Sequence, residues 1–155
     1  MKLPALDPKS VAPMVGISRY PDKYRTPVAG RERRVLGDAC GIKSFGVNLT
    51  TVPPGGWSSQ RHWHSREDEF IYVVEGELVL VTDTGEQVLR AGQAAGFPAN
   101  SGDGHHFVNR SGKPATILEV GGRDPQDAVD YSDVDMMVRP TPEGRKFTDK
   151  KGNPF

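Results

Sequence analysis

The chain has 155 residues, enough for one domain whose core folds without staples, and its twenty basic and twenty acidic residues cancel. That balance leaves no field to attract nucleic acid, and the single cysteine, Cys40, rules out an intramolecular disulfide. No stretch approaches the roughly 20 apolar residues that span a bilayer, and the opening MKLPALDPKS lacks the apolar run of a secretory leader, so a cytoplasmic setting is expected.

In chain order, residues 1–32 hold Pro4, Pro8, Pro13, Pro21 and Pro27, too many for a regular helix or a central strand, and read as an N-terminal arm covering a sheet edge. The basic cluster Arg31-Glu32-Arg33-Arg34 reads as solvated surface or as ion pairs to a neighbouring subunit. A short strand is expected at 34–37, and a clearer one at 43–52, where Phe45, Val47 and Leu49 alternate with polar or small residues. Cys40 between them reads as a buried structural thiol, since no histidine outside the motifs below remains to activate it.

After the breaker Pro53-Pro54-Gly55-Gly56, residues 70–74 and 77–82 read as a hairpin turning at Glu75-Gly76. Further strands are expected at 87–90, 93–98, 105–109 and 115–120. Asp124, Asp127, Asp130, Asp133 and Asp135 then read as a solvated linker before a strand near 134–138. The barrel domain is placed at 33–138 and a C-terminal extension at 139–155. Brief strands between frequent turns argue for an all-β, antiparallel barrel or sandwich.

The stretch from Gly56 to Gly76 carries the chemistry. His62 and His64 are two apart on an extended segment, so they share a face, and Glu69 follows. Imidazole nitrogen with carboxylate oxygen suits a divalent transition metal rather than calcium. An isolated His-x-His is as readily an exposed pair on a strand edge. Here the full spacing is Gly56-x5-His62-x-His64-x4-Glu69-x6-Gly76, followed by Gly92-x5-Pro98 and His105-x3-Asn109, and all four histidines of the chain fall inside these two segments.

This pattern resembles the two signature motifs of the cupin superfamily, over at least residues 44–121. The second motif departs from the family pattern: six residues separate Pro98 from His105 instead of four, and Asn100 stands where a glycine is usual. The glycines of Ser101-Gly102-Asp103-Gly104 accommodate the wider loop. The resemblance implies a jelly-roll barrel (double-stranded β-helix) with terminal extensions. It also implies one bound divalent metal (zinc, manganese, iron or nickel) held by His62, His64, Glu69 and His105. His106 would point to the other side of its strand.

Gln60, Ile71, Val73, Phe97, Phe107 and Asn109 are the expected pocket-lining residues; no catalytic acid or base is assigned. The resemblance points to a small-molecule ligand and to an isomerase or epimerase of sugars or sugar phosphates, to an iron-dependent dioxygenase, or to a non-catalytic binding or sensor module. A sugar phosphate would call for clustered basic residues at the mouth, for which only Arg61 and Arg66 lie close in sequence. Barrel edges and two terminal arms lead us to expect a homodimer.

Overall fold

A computed structural model describes residues 4–155. It is all-β and wholly antiparallel, with thirteen strands. They are β1 (Met14–Val15), β2 (Glu32–Val35), β3 (Phe45–Val52), β4 (His62–His64), β5 (Glu69–Glu75), β6 (Glu77–Thr82), β7 (Gly85–Arg90), β8 (Ala94–Phe97), β9 (His106–Val108), β10 (Ala115–Gly122), β11 (Val129–Tyr131), β12 (Met137–Thr141) and β13 (Gly144–Thr148). They form a six-stranded sheet ordered β1-β2-β3-β10-β5-β8, a four-stranded sheet β13-β12-β11-β4 and a three-stranded sheet β7-β6-β9. Among the described residues no helix is long and apolar enough to cross a membrane.

Several local expectations need correction. The segments on either side of Gly76 are not a hairpin: β5 pairs with β10 and β8, while β6 pairs with β7 and β9. Gly76 has φ +80, and a β-carbon there would lie 2.9 Å from backbone atoms of Pro114 and Ala115. Together with the register shift at Thr116/Ile117, it swings the chain out of one sheet and into the next. The first short strand lies at Glu32–Val35 rather than 34–37, and a helical turn, α1 (Leu36–Ala39), follows it. Cys40 caps that turn and is exposed, not buried.

The acidic stretch is not a solvated linker. Asp127 is fully buried, and β11 runs through Asp130, which pairs with Arg139 at 2.8 Å. The next strand begins at Met137, and β12 and β13 close a hairpin through Pro142-Glu143.

Two apolar clusters hold the structure together. One contains Val73, Leu78, Phe107 and Ile117; the other joins Tyr20 and Val28 of the arm to Tyr131, Met136 and Val138. Each large side chain removed from water in this way contributes about 1.5–3 kcal/mol. The arm is therefore part of the core, and its Tyr20 packs edge-on against Tyr131 at 5.6 Å. On the outer face of β5, Phe70, Tyr72 and Val74 are exposed, as the alternation of a strand dictates.

Candidate metal centre

β4 lies where the sheets meet. On one side it pairs with β11, with His62 opposite Tyr131 and His64 opposite Val129. On the other, His62 and His105 exchange two backbone hydrogen bonds of 2.9 and 3.2 Å. Strand alternation then turns both imidazoles of β4 toward Glu69, the first residue of β5.

The Nε2 atom of His105 lies 2.8 Å from Glu69 Oε2, and the Nε2 atoms of His62 and His64 each lie 3.6 Å from that same oxygen. The four residues singled out by spacing thus meet in space. His106 does not join them: its Nδ1 lies 3.1 Å from the Ser59 carbonyl, and its ring meets Trp57 edge-on.

The outward nitrogens decide what this cluster can hold. His62 Nδ1 lies 2.8 Å from the Gln60 carbonyl, and His64 Nδ1 lies 2.7 Å from Asp127 Oδ2. Both acceptors call for a proton on Nδ1, which in the neutral rings leaves the Nε2 lone pairs facing Glu69. His105 is held differently, stacked on Phe97 at 3.6 Å, and its Nδ1 is buried with no hydrogen-bond partner among the described residues. His62, Glu69 and His105 bring their ligand atoms within 4.8 Å of one another, and His64, whose Nδ1 side groups with Glu67 and Asp127, adds a third imidazole beside the Glu69 oxygen; this donor set fits a divalent transition ion.

Electrostatics follow from the crowding. Burial pushes the Glu69 carboxyl up, but the hydrogen bond from His105 and the close His62 and His64 imidazoles outweigh it and hold the group well below the usual carboxylate range. Burial likewise pushes His62 down, yet Glu69 and the Gln60 carbonyl carry it above its ordinary value. For His105 burial wins, and its affinity for a proton is lowered.

His62, Glu69 and His105 open into a cavity of about 490 Å³, with His64 set behind them. Its floor is left bare by Gly46 and Gly121, which face each other across β3 and β10; a β-carbon at Gly121 would lie 3.6 Å from the Glu69 side chain. Ile71 and Phe107 line it as expected, but Gln60, Val73, Phe97 and Asn109 do not. Gln60 is buried and donates to the Tyr24 carbonyl, Val73 is fully enclosed in the first apolar cluster, and Phe97 supports His105 from behind. Asn109 is fully buried and clamps a turn by donating to the carbonyls of Val52 and Lys113.

The charge on the cavity wall was not legible in the local sequence. Five arginines line it, Arg19, Arg31, Arg33, Arg123 and Arg145, against Glu67, Glu69 and Glu119. Arg61 and Arg66 are not among them; Arg61 is held by Asp83 and Asp133, and Arg66 is exposed near Asp124. Nor is the 31–34 cluster solvated surface, since Arg31 is buried and Arg33 is bound to Glu119 at 3.1 Å.

The irregular second motif also resolves. Asn100, at the usual glycine position, has φ +58, a conformation asparagine tolerates better than other side chains, and its N–H donates to the His64 carbonyl at 2.7 Å.

Residues 48–121 match the family model for the cupin domain. A protein from Silicibacter pomeroyi DSS-3, described as a sugar phosphate isomerase from the cupin superfamily, is 47% identical over 97% of this chain and 96% of its own, with a TM-score of 0.92. A putative sugar phosphate isomerase from Acidithiobacillus ferrooxidans is 28% identical over 82% of this chain and 81% of its own, with a TM-score of 0.74. A polyketide cyclase from Streptomyces resistomycificus is 27% identical over 80% of each chain, with a TM-score of 0.63. No curated protein sequence matches. With a near-full-length relative of that identity, and with both histidine motifs meeting at one point inside the sheets, this chain belongs to the cupin superfamily.

Proposed function

We propose that the protein is a metal-dependent isomerase of a small sugar phosphate, using His62, His64, Glu69 and His105 to hold one divalent ion of zinc, manganese, iron or nickel. The observation that carries this reading is the convergence of three imidazole Nε2 atoms on Glu69 at the end of a polar, arginine-walled cavity. The similarity to a protein described as a sugar phosphate isomerase, and to a second described as a putative one, supports it. A wall this polar suits a polyol phosphate better than an aromatic polyketide.

A divalent cation at this centre supplies a Lewis acid for adjacent oxygens of a hydroxy-carbonyl compound. The chain supplies the proton carrier. Glu119 lies on β10 opposite Ile71, with Gly121 opposite Glu69, so Glu119 is the diagonal neighbour of Glu69 on the same inward face. Its carboxylate accepts from Thr50 Oγ1 at 2.8 Å and from Arg33, which fixes its aim while leaving it on the cavity wall. Glu119 takes the proton from the carbon beside the carbonyl and returns it to the neighbouring carbon, with a proton passing between the two oxygens. No net oxidation occurs.

The test is an incubation in deuterium oxide of metal-loaded protein with a panel of aldose and ketose phosphates, followed by NMR. Interconversion with deuterium entering at the exchanged carbon is expected. A panel with neither exchange nor interconversion would sink the isomerase reading.

A further inference from the structure

We propose that the arginine-bearing end of the cavity is a phosphate subsite built on Arg31 and completed by Arg19, which holds a phosphomonoester while the far end of the ligand faces the His62, His64, Glu69 and His105 cluster. It rests on the isomerase reading only for what the remainder of the ligand is.

Arg31 is 5% exposed and lines the cavity. Of the five donors of its guanidinium, one goes to the Ser58 carbonyl and another to the Ile17 carbonyl at 3.2 Å, both neutral acceptors. Among the described residues no carboxylate lies within ion-pair distance of it, and a buried charge without a counter-charge is costly. Burial, and then the neighbouring Arg33, weaken its hold on its proton, and the partial relief from Glu119 is shared with Arg33.

The other wall arginines divide cleanly. Arg33 is bound to Glu119, Arg123 to Asp38 and Arg145 to Glu67. Arg19 has no carboxylate partner among the described residues and is exposed at the cavity. Two cations are thus left over, one deep and one at the rim, with an anionic partner missing.

The backbone brings them together. The Gly16 N–H donates to the Arg31 carbonyl at 2.8 Å while the Arg31 side chain holds the Ile17 carbonyl, so the segment leading to Arg19 is tied to Arg31 from both ends of that residue. Gly16 has φ +62, and a β-carbon there would lie 2.4 Å from the Ala29 carbonyl oxygen, so this crossing admits only glycine. A planar guanidinium fork matches phosphate oxygens in pairs, and a cavity of about 490 Å³ is within the usual range for small-molecule sites.

Calorimetric titration of the full chain with inorganic phosphate, at pH 8 and fixed ionic strength, tests the assignment. One saturable site is expected in the wild type, weakened about tenfold or more in Arg19→Ala and in Arg31→Met. It should be unchanged in Arg110→Ala, which removes an exposed charge paired with Glu86 away from this cavity. If Arg31→Met does not fold by circular dichroism, Arg19→Ala alone decides.

Absence of saturable binding in the wild type overturns the proposal, as does undiminished binding in Arg19→Ala. Acetate binding as tight as phosphate overturns it too, since the site would then select any anion. Phosphate binding that vanishes when a chelator strips bound metal places the anion on the cation, and also overturns it. Phosphate binding that persists without any sugar phosphate turnover leaves the subsite standing and removes the isomerase reading. Equal turnover of phosphorylated and unphosphorylated sugars does the reverse.

Discussion

His64 Nδ1 lies 2.7 Å from Asp127 Oδ2, and Asp127 is fully buried. The same carboxylate accepts from the Arg66 N–H at 2.8 Å and from Ser65 Oγ at 3.3 Å, so its position is set by three donors. Asp127 therefore fixes both the ring angle and the tautomer of His64. Asp127→Asn keeps the shape and removes the charge. Metal affinity, measured by competition with a chromophoric chelator, is expected to fall about 10–100-fold with the circular dichroism spectrum unchanged.

His64→Ala removes one donor outright. An ion supplied at a hundred times its dissociation constant stabilises the wild type by about 2.7 kcal/mol. Thermal denaturation with and without metal is expected to show that gain in the wild type and most of it missing in the variant. A full metal-dependent shift in His64→Ala would remove that residue from the ligand set.

Proton competition sets the pH dependence. Glu69 carries His62 above its ordinary value despite burial, so in the metal-free protein the His62 proton persists to a pH above about 6.5. A metal requires the neutral ring. Apparent metal affinity is therefore expected to rise with pH through and beyond that value and then level off. Chelator competition from pH 5.5 to 8.5 measures this; an affinity flat across that range contradicts it.

Glu119→Gln leaves Thr50 and Arg33 with an acceptor of similar shape but removes the proposed proton carrier. We expect kcat for sugar phosphate isomerisation to drop by about 10²–10⁴ with metal affinity unchanged. A variant with wild-type kcat would move the proton transfer to another group.

Asn100 offers a test confined to backbone conformation. Asn100→Gly satisfies φ +58 and is expected to stay within about 1 kcal/mol of wild type in urea denaturation, whereas Asn100→Val forces a branched side chain into the left-handed region at a cost of about 1–2 kcal/mol. The valine variant also disturbs the hydrogen bond from the Asn100 N–H to His64.

What could be read from the chain alone was what is local in it. His62, His64 and Glu69 are placed by strand alternation and a short connection, and His105 by its strand face, so spacing sufficed. The partners that organise them are not local: Asp127 lies 63 residues beyond His64, inside a stretch whose acidic composition resembles solvated linker. The cavity arginines come from the arm, from β2 and from segments near the C-terminus, and only the sheet topology brings them to one wall. Gly76 misled for a related reason. A glycine between two β-rich runs signals a turn, but the contacts of Ala115 and the bulge at Thr116 decide that the runs part company.

The tie between Gly16, Ile17 and Arg31 makes the proline-rich start of the chain a roof beam. Cutting the protein back to Glu32 would take Tyr20 and Val28 out of the second apolar cluster and unroof one flank of the vessel. A shortened form that still folded would be leaky: on the proposed isomerase reading, water would reach the centre, and hydrolysis or loss of half-converted substrate would compete with turnover.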